Sequence, residues 1–154
     1  MKIERMKKTS FSIIGKEGST QEGEGLIQRL WEEANSHFEE VRPLAKTNEA
    51  GELVGIWGAM SDASRRFAPW EDDFTKGLYL AGVECREDAA PPKGWVKWEV
   101  PGYEYLVVKA AGPQTFSQVL KHIEEEGLAL AGAVHDFTCP KTGENWMFFP
   151  IQKL

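Results

Sequence analysis

Near the C-terminus, Glu144, Trp146 and Phe148 alternate with Asn145, Met147 and Phe149. Successive side chains of an extended strand point to opposite faces, so the acid and the two rings share one face. Such a face suits a lipophilic cation, which gains Coulomb attraction in a partly desolvated cleft and cation–π contact of about 0.5 to 2 kcal/mol per ring. The theme recurs elsewhere. Glu84 stands inside the apolar run Gly77 to Cys85, where an acid on a covered face must find a partner or a ligand. Trp57 and Tyr105 lie in two further β-type runs, each able to face a shared cleft. Trp70, followed by Glu71, Asp72 and Asp73, sits in the longest loop and is placed to act as a lid. Each residue also has a plainer role: Glu144, Glu84 and the acidic loop in solvent, the aromatic rings as core.

Catalytic constellations are thin. His135 and Cys139 are four apart on a strand entering a turn, and no further Cys or His completes a zinc set. His37 and His122 lie among glutamates on helix surfaces. The glycines between Gly15 and Gly25 lack the Gly-Lys-Ser/Thr of a phosphate cradle. Neither a metal nor a cofactor is expected, and no residue is assigned a catalytic role.

Composition narrows the classes. The chain has 154 residues, 42% of them apolar and 27% charged, with 18 Lys and Arg against 24 Asp and Glu, giving a net charge of -6. A domain of this size buries roughly two thirds of its unfolded surface and needs neither disulfide nor metal to build a core. Nucleic acid is not an expected partner, because the basic residues gather only at Lys2, Arg5, Lys7 and Lys8 and at Arg65 and Arg66. No apolar run approaches the ~20 residues that span a bilayer. Two cysteines 54 positions apart, Cys85 and Cys139, fit free thiols in a reducing cytoplasm. Six tryptophans are many for this length and suggest a stacking wall around a ligand.

The elements that must position these residues read as two similar series. Thr9 to Ile14 is predicted as a strand, followed by the glycine-rich turn Gly15 to Gly25. A helix follows, with Leu26, Ile27, Leu30, Trp31, Ala34, Phe38 and Val41 at three- and four-residue spacing, ended by Pro43. Leu53 to Met60 and Gly77 to Cys85 are predicted to pair across the loop Ser61 to Lys76. After the linker Ala89 to Gly94 the pattern starts over. It runs through a short segment Trp95 to Glu99, a strand Tyr103 to Ala110, and a helix capped by Thr115 with Gln118 and closed at Gly127. Strands Leu128 to Phe137 and Trp146 to Ile151 complete it. The echo of Gly58-Ala59-Met60-Ser61-Asp62 in Gly132-Ala133-Val134-His135-Asp136 supports a duplication. The expected fold is one α+β domain of duplicated βαββ repeats, about 8 to 88 and about 95 to 154, with both helices on one side and a ligand cleft at a pseudo-twofold axis.

That order resembles the GyrI-like family, together with Val100-Pro101-Gly102-Tyr103-Glu104-Tyr105, Gly112-Pro113, Trp31, Leu80-Ala81-Gly82-Val83-Glu84 and Phe149-Pro150-Ile151. The family comprises effector-binding domains of multidrug-sensing AraC- and MerR-class regulators and stand-alone proteins; with its first strand starting by residue 9, this sequence resembles the latter. The resemblance implies a cleft that takes bulky, flat, often cationic organic molecules against aromatics and an acid. The family's last strand usually places that acid four or six residues before the proline. Here the fourth position before Pro150 is Trp146 and the sixth is Glu144. The expected ligand residues are therefore Trp57, Trp70, Glu84, Tyr105, Glu144, Trp146 and Phe148, holding a lipophilic, cationic small molecule in a drug-sensing or sequestering protein. Two alternatives stay open: a hydrolase of strained or electrophilic natural products, and an acidic module that modulates a protein partner such as DNA gyrase.

Overall fold

The computed structural model describes every residue from Met1 to Leu154. Eight strands form one antiparallel sheet: β1 (Ile3–Lys8), β2 (Phe11–Ser19), β3 (Ile56–Ser61), β4 (Leu78–Cys85), β5 (Val96–Val100), β6 (Tyr103–Lys109), β7 (His135–Thr138) and β8 (Asn145–Lys153). Helix α1 (Leu26–Ser36) joins β2 to β3, the single turn α2 (Glu71–Phe74) lies between β3 and β4, and α3 (Thr115–Glu125) joins β6 to β7. No helix is long and apolar enough to cross a membrane.

The strand order β1-β6-β8-β7-β3-β4-β2-β5 maps onto itself when β1 to β4 are exchanged for β5 to β8. Each series contributes a leading strand, a second strand, a helix and two returning strands. The leading strands are exchanged: β1 pairs with β6 and β5 with β2. The chain passes from β1 to β2 through Thr9 and Ser10 alone, and from β5 to β6 through Pro101 and Gly102 alone. Each short link joins an edge strand to the strand next to the opposite edge, so the sheet must curl until its edges meet. The links touch where they cross; a Cβ on Gly102 would lie 3.2 Å from the Ser10 amide nitrogen.

The curl separates two faces. Ile13, Trp57, Leu80, Tyr105, Val107 and Phe148 point inward into one aromatic cluster. Their strand neighbours Ile14, Ala81, Leu106, Val108 and Phe149 point the other way, against the helices. Helix α1 buries Leu26, Leu30 and Ala34, and α3 buries Val119 and Ile123, so both helices cover the same face, as the periodicity predicts. Each large side chain fully buried this way contributes on the order of 1.5 to 3 kcal/mol.

Several boundaries depart from expectation. The strand predicted to stop at Ile14 continues through Gly15 and Gly18 to Ser19. Gly15 lies opposite Gly82, and a Cβ on either would come within 2.4 Å of the partner strand's carbonyl oxygen. These glycines let two paired strands approach closely rather than ending one. The basic N-terminus, read as a charge patch, is strand β1, whose mostly exposed charged residues are what a sheet edge tolerates. Helix α1 ends at Ser36, and its predicted last turns are two 3-10 turns, Phe38–Glu40 and Arg42–Leu44. Thr115 does not cap α3; its hydroxyl accepts from the Ala111 amide at 3.1 Å. Gly127 does close that helix. It adopts φ 70°, with its amide donating to Glu124 and the Leu128 amide to Ile123, the paired bonds of a Schellman end.

Candidate functional site

Where the inward face opens beside β1, a cavity of about 330 Å³ is lined chiefly by apolar side chains from six strands and the approach to β3. Trp57 comes from β3, Glu84 from β4, Phe137 from β7, and Trp146 and Phe148 from β8, while β1 supplies Met6 and Lys8. The rings of Trp57, Phe137 and Phe148 form one continuous surface. The Trp57 centroid lies 4.7 Å from that of Phe137 and 4.9 Å from that of Phe148.

Glu84 is the acid of this cavity and is only 3% exposed. Both of its oxygens are engaged. Trp57 Nε1–H donates to Oε1 at 3.1 Å, and Lys8 Nζ approaches Oε2 at 3.3 Å. The same ammonium stands 4.4 Å from the Phe11 ring centroid and 5.9 Å from that of Trp57. A buried carboxylate, two aromatic faces and a cation thus already meet at one point, which is the arrangement that holds a lipophilic cation.

The seven residues singled out from the sequence separate accordingly. Trp57, Glu84, Trp146 and Phe148 come together around the cavity. Tyr105 is fully buried behind it, its ring 5.3 Å from Phe148 and its hydroxyl without a partner; burial raises its phenol above the ordinary range. Glu144 does not reach the cavity. Strand β8 begins one residue later, so Glu144 falls in the turn beyond the sheet and pairs with Lys109 at the end of β6. That hydrogen bond and the lysine charge hold its carboxyl below the usual range. Trp70 lies on the helix-bearing face, donating to the Leu78 carbonyl at 2.9 Å, so it is no lid over this cavity.

Lys8, Met6 and Phe137 were missed by the sequence reading. Phe137 faces Trp146 in the β7–β8 register, two residues before Cys139, whereas the N-terminal residues carry no apolar alternation to betray a strand. Of the six tryptophans only Trp57 and Trp146 line the cavity. Trp31, Trp95 and Trp98 instead brace the fold by donating to Tyr79, Glu40 and Glu17. His135 and Cys139 form no nucleophile pair. His135 is fully buried with Nδ1 accepting from the Met60 amide at 3.1 Å, whereas Cys139 stands in the β7–β8 turn.

Solved structures share the fold. SAV2435 bound to tetraphenylphosphonium matches with a TM-score of 0.66 at 17% identity, over 99% of this chain and 94% of that one. The EcmrR C-terminal domain matches with a TM-score of 0.67 at 8% identity, over 99% and 98%. A hydrolase from Listeria innocua matches with a TM-score of 0.53 at 13% identity, over 98% and 92%. At these identities the likeness establishes the fold, which is consistent with the GyrI-like architecture the sequence resembles. No protein-family model and no curated protein matches the chain.

Proposed function

We propose that the chain is a small-molecule binding protein of the drug-sensing or sequestering kind, whose ligand is an aromatic or lipophilic cation held between Trp57, Trp146 and Phe148 and charged against Glu84. The observation that carries this reading is the Lys8–Glu84 contact, in which a buried acid holds a cation against aromatic faces. Lys8 is the resident cation, and a ligand takes its place. Strand β1 is a sheet edge held only by β6, and the lysine stem is long enough to carry its ammonium out to water as a better-fitting cation enters. The structure of SAV2435 with tetraphenylphosphonium supports the ligand class.

Tryptophan fluorescence tests it directly, since Trp57 and Trp146 line the cavity. Titration with tetraphenylphosphonium is expected to quench saturably in the micromolar range. Lys8→Met removes the competitor and is expected to tighten binding several-fold, while Glu84→Gln weakens it. Quenching that does not saturate, or that ignores both substitutions, overturns the proposal. Consumption of an electrophilic substrate with formation of product points instead to hydrolysis, with Glu84 as base.

A further inference from the structure

The helix-bearing face carries a second acid beside a second cavity. Asp136 in β7 pairs in register with Gly58 in β3. Two residues along each chain, on the same face, stand Val134 and Met60, which wall a cavity of about 200 Å³ closed by Pro69, Trp70, Phe74 and Phe116. A two-residue step along a strand is about 6.7 Å, so the backbone of Asp136 stands roughly one arylalkylamine length from that of Met60 and Val134, the cavity walls nearest to it in sequence.

The chain leaves Asp136 without a countercharge. It is half-buried, no basic side chain pairs with it, and burial alone pushes its carboxyl up to about 6. Beside it the bare Gly58 makes room for a hydroxyl; a Cβ there would lie 2.0 Å from Tyr79 Oη. That oxygen accepts from Trp31 Nε1 at 3.0 Å, which leaves its own proton free to be donated. The cavity roof is held in a costly conformation. Asp72, Asp73 and Phe74 run at φ 51°, 57° and 62°, three successive left-handed residues, with the Phe74 ring set edge-on to Phe116 at 5.1 Å.

We propose that this is a second ligand site, separated from the first by the thickness of the sheet, for a small protonated arylalkylamine whose ammonium pairs with Asp136 and whose ring enters the cavity between Trp70 and Phe116. It does not rest on the reading of the first cavity. The two sites differ in what they accept. The inward cavity has its acid already paired with Lys8, so an entering cation must displace it, whereas Asp136 gains its first partner when the amine binds.

Methionine methyl groups report the two sites separately, because Met6 lines the first cavity and Met60 the second. With methyl-13C methionine in the full chain, 2-phenylethylammonium is expected to shift the Met60 signal saturably and leave that of Met6 in place. Asp136→Asn should weaken the amine at least tenfold while leaving the neutral 2-phenylethanol unchanged, and Phe116→Ala should weaken both. The Asp136→Asn variant removes a half-buried unpaired charge, so it is expected to fold, and its near-ultraviolet circular dichroism checks that. An unmoved Met60 signal, movement of Met6 alone, or equal amine affinity of a folded Asp136→Asn variant and the parent would overturn the proposal.

Discussion

At the scale of single residues, two glutamates with similar sequence credentials have unlike surroundings. Glu84 is buried between an indole N–H and an ammonium, and Glu144 is a turn residue at the sheet's end. Charge-assisted contacts in a buried setting are worth about 1.5 to 3 kcal/mol, a roughly 10- to 150-fold change in affinity. Glu84→Gln should therefore cost a cationic ligand such as tetraphenylphosphonium at least tenfold, measured by fluorescence titration at low salt. Glu144→Gln should leave that affinity unchanged. A loss on Glu144→Gln alone would return the role of cleft acid to Glu144. The sequence could nominate both acids by face and neighbour, but it could not separate them. The distinction depends on where β8 starts and on a lysine some 76 positions from Glu84 in the chain.

Adjacent residues His135 and Asp136 make a second residue-scale case. Burial lowers His135 to about 4 from 6.5, so between those values the unfolded chain binds the extra proton and acid removes stability. Burial raises Asp136 to about 6 from 3.8, so there the folded chain binds the extra proton, and the stability it contributes is complete below 3.8 and lost as pH rises through 6. The two slopes oppose each other over nearly the same window. Asp136→Asn is expected to raise stability at pH 7 by about 1 to 3 kcal/mol and to expose the acid sensitivity due to His135. Urea midpoints at about pH 7 and 4.5 measure both effects; a variant whose midpoint does not fall with acid contradicts the assignment.

At the scale of elements, both long helices and most strands were legible, because an amphipathic stripe and an apolar β-type run follow from local spacing, although the strand expected over Leu128 to Phe137 shrinks to His135–Thr138. What escaped was set by distant partners. Gly15 looks like a strand breaker until Gly82 is placed opposite it, where the two allow backbones to approach more closely than any side chain permits. Gly82→Ala should therefore cost about 3 kcal/mol or more, read as a fall in urea midpoint with unchanged slope, since its Cβ would lie 2.3 Å from the Ile14 carbonyl oxygen. A neutral substitution would show that the strands relax apart freely. Strand β1 was invisible for a related reason. An edge needs no alternating apolar residues, and its Lys8, which pairs with the cavity acid Glu84, reads as one more surface charge.

At the scale of the whole molecule, the exchange of leading strands has a consequence for how the chain holds together. Strand β1 belongs by sequence to the first series and by hydrogen bonding to the second, and β5 the reverse. The molecule has the form of an arm-swapped homodimer whose two subunits have been fused through the segment after Cys85. Neither half retains its own arm, so neither should be a cooperative unit by itself. Chains 1 to 90 and 91 to 154, made separately, are expected to show no sharp unfolding transition alone and to regain one on mixing, with each supplying the other's missing edge. The Lys8–Glu84 contact survives in this picture as a contact inside the first fragment that forms only once the second has seated β1, so tetraphenylphosphonium binding should return only with the reassembled pair.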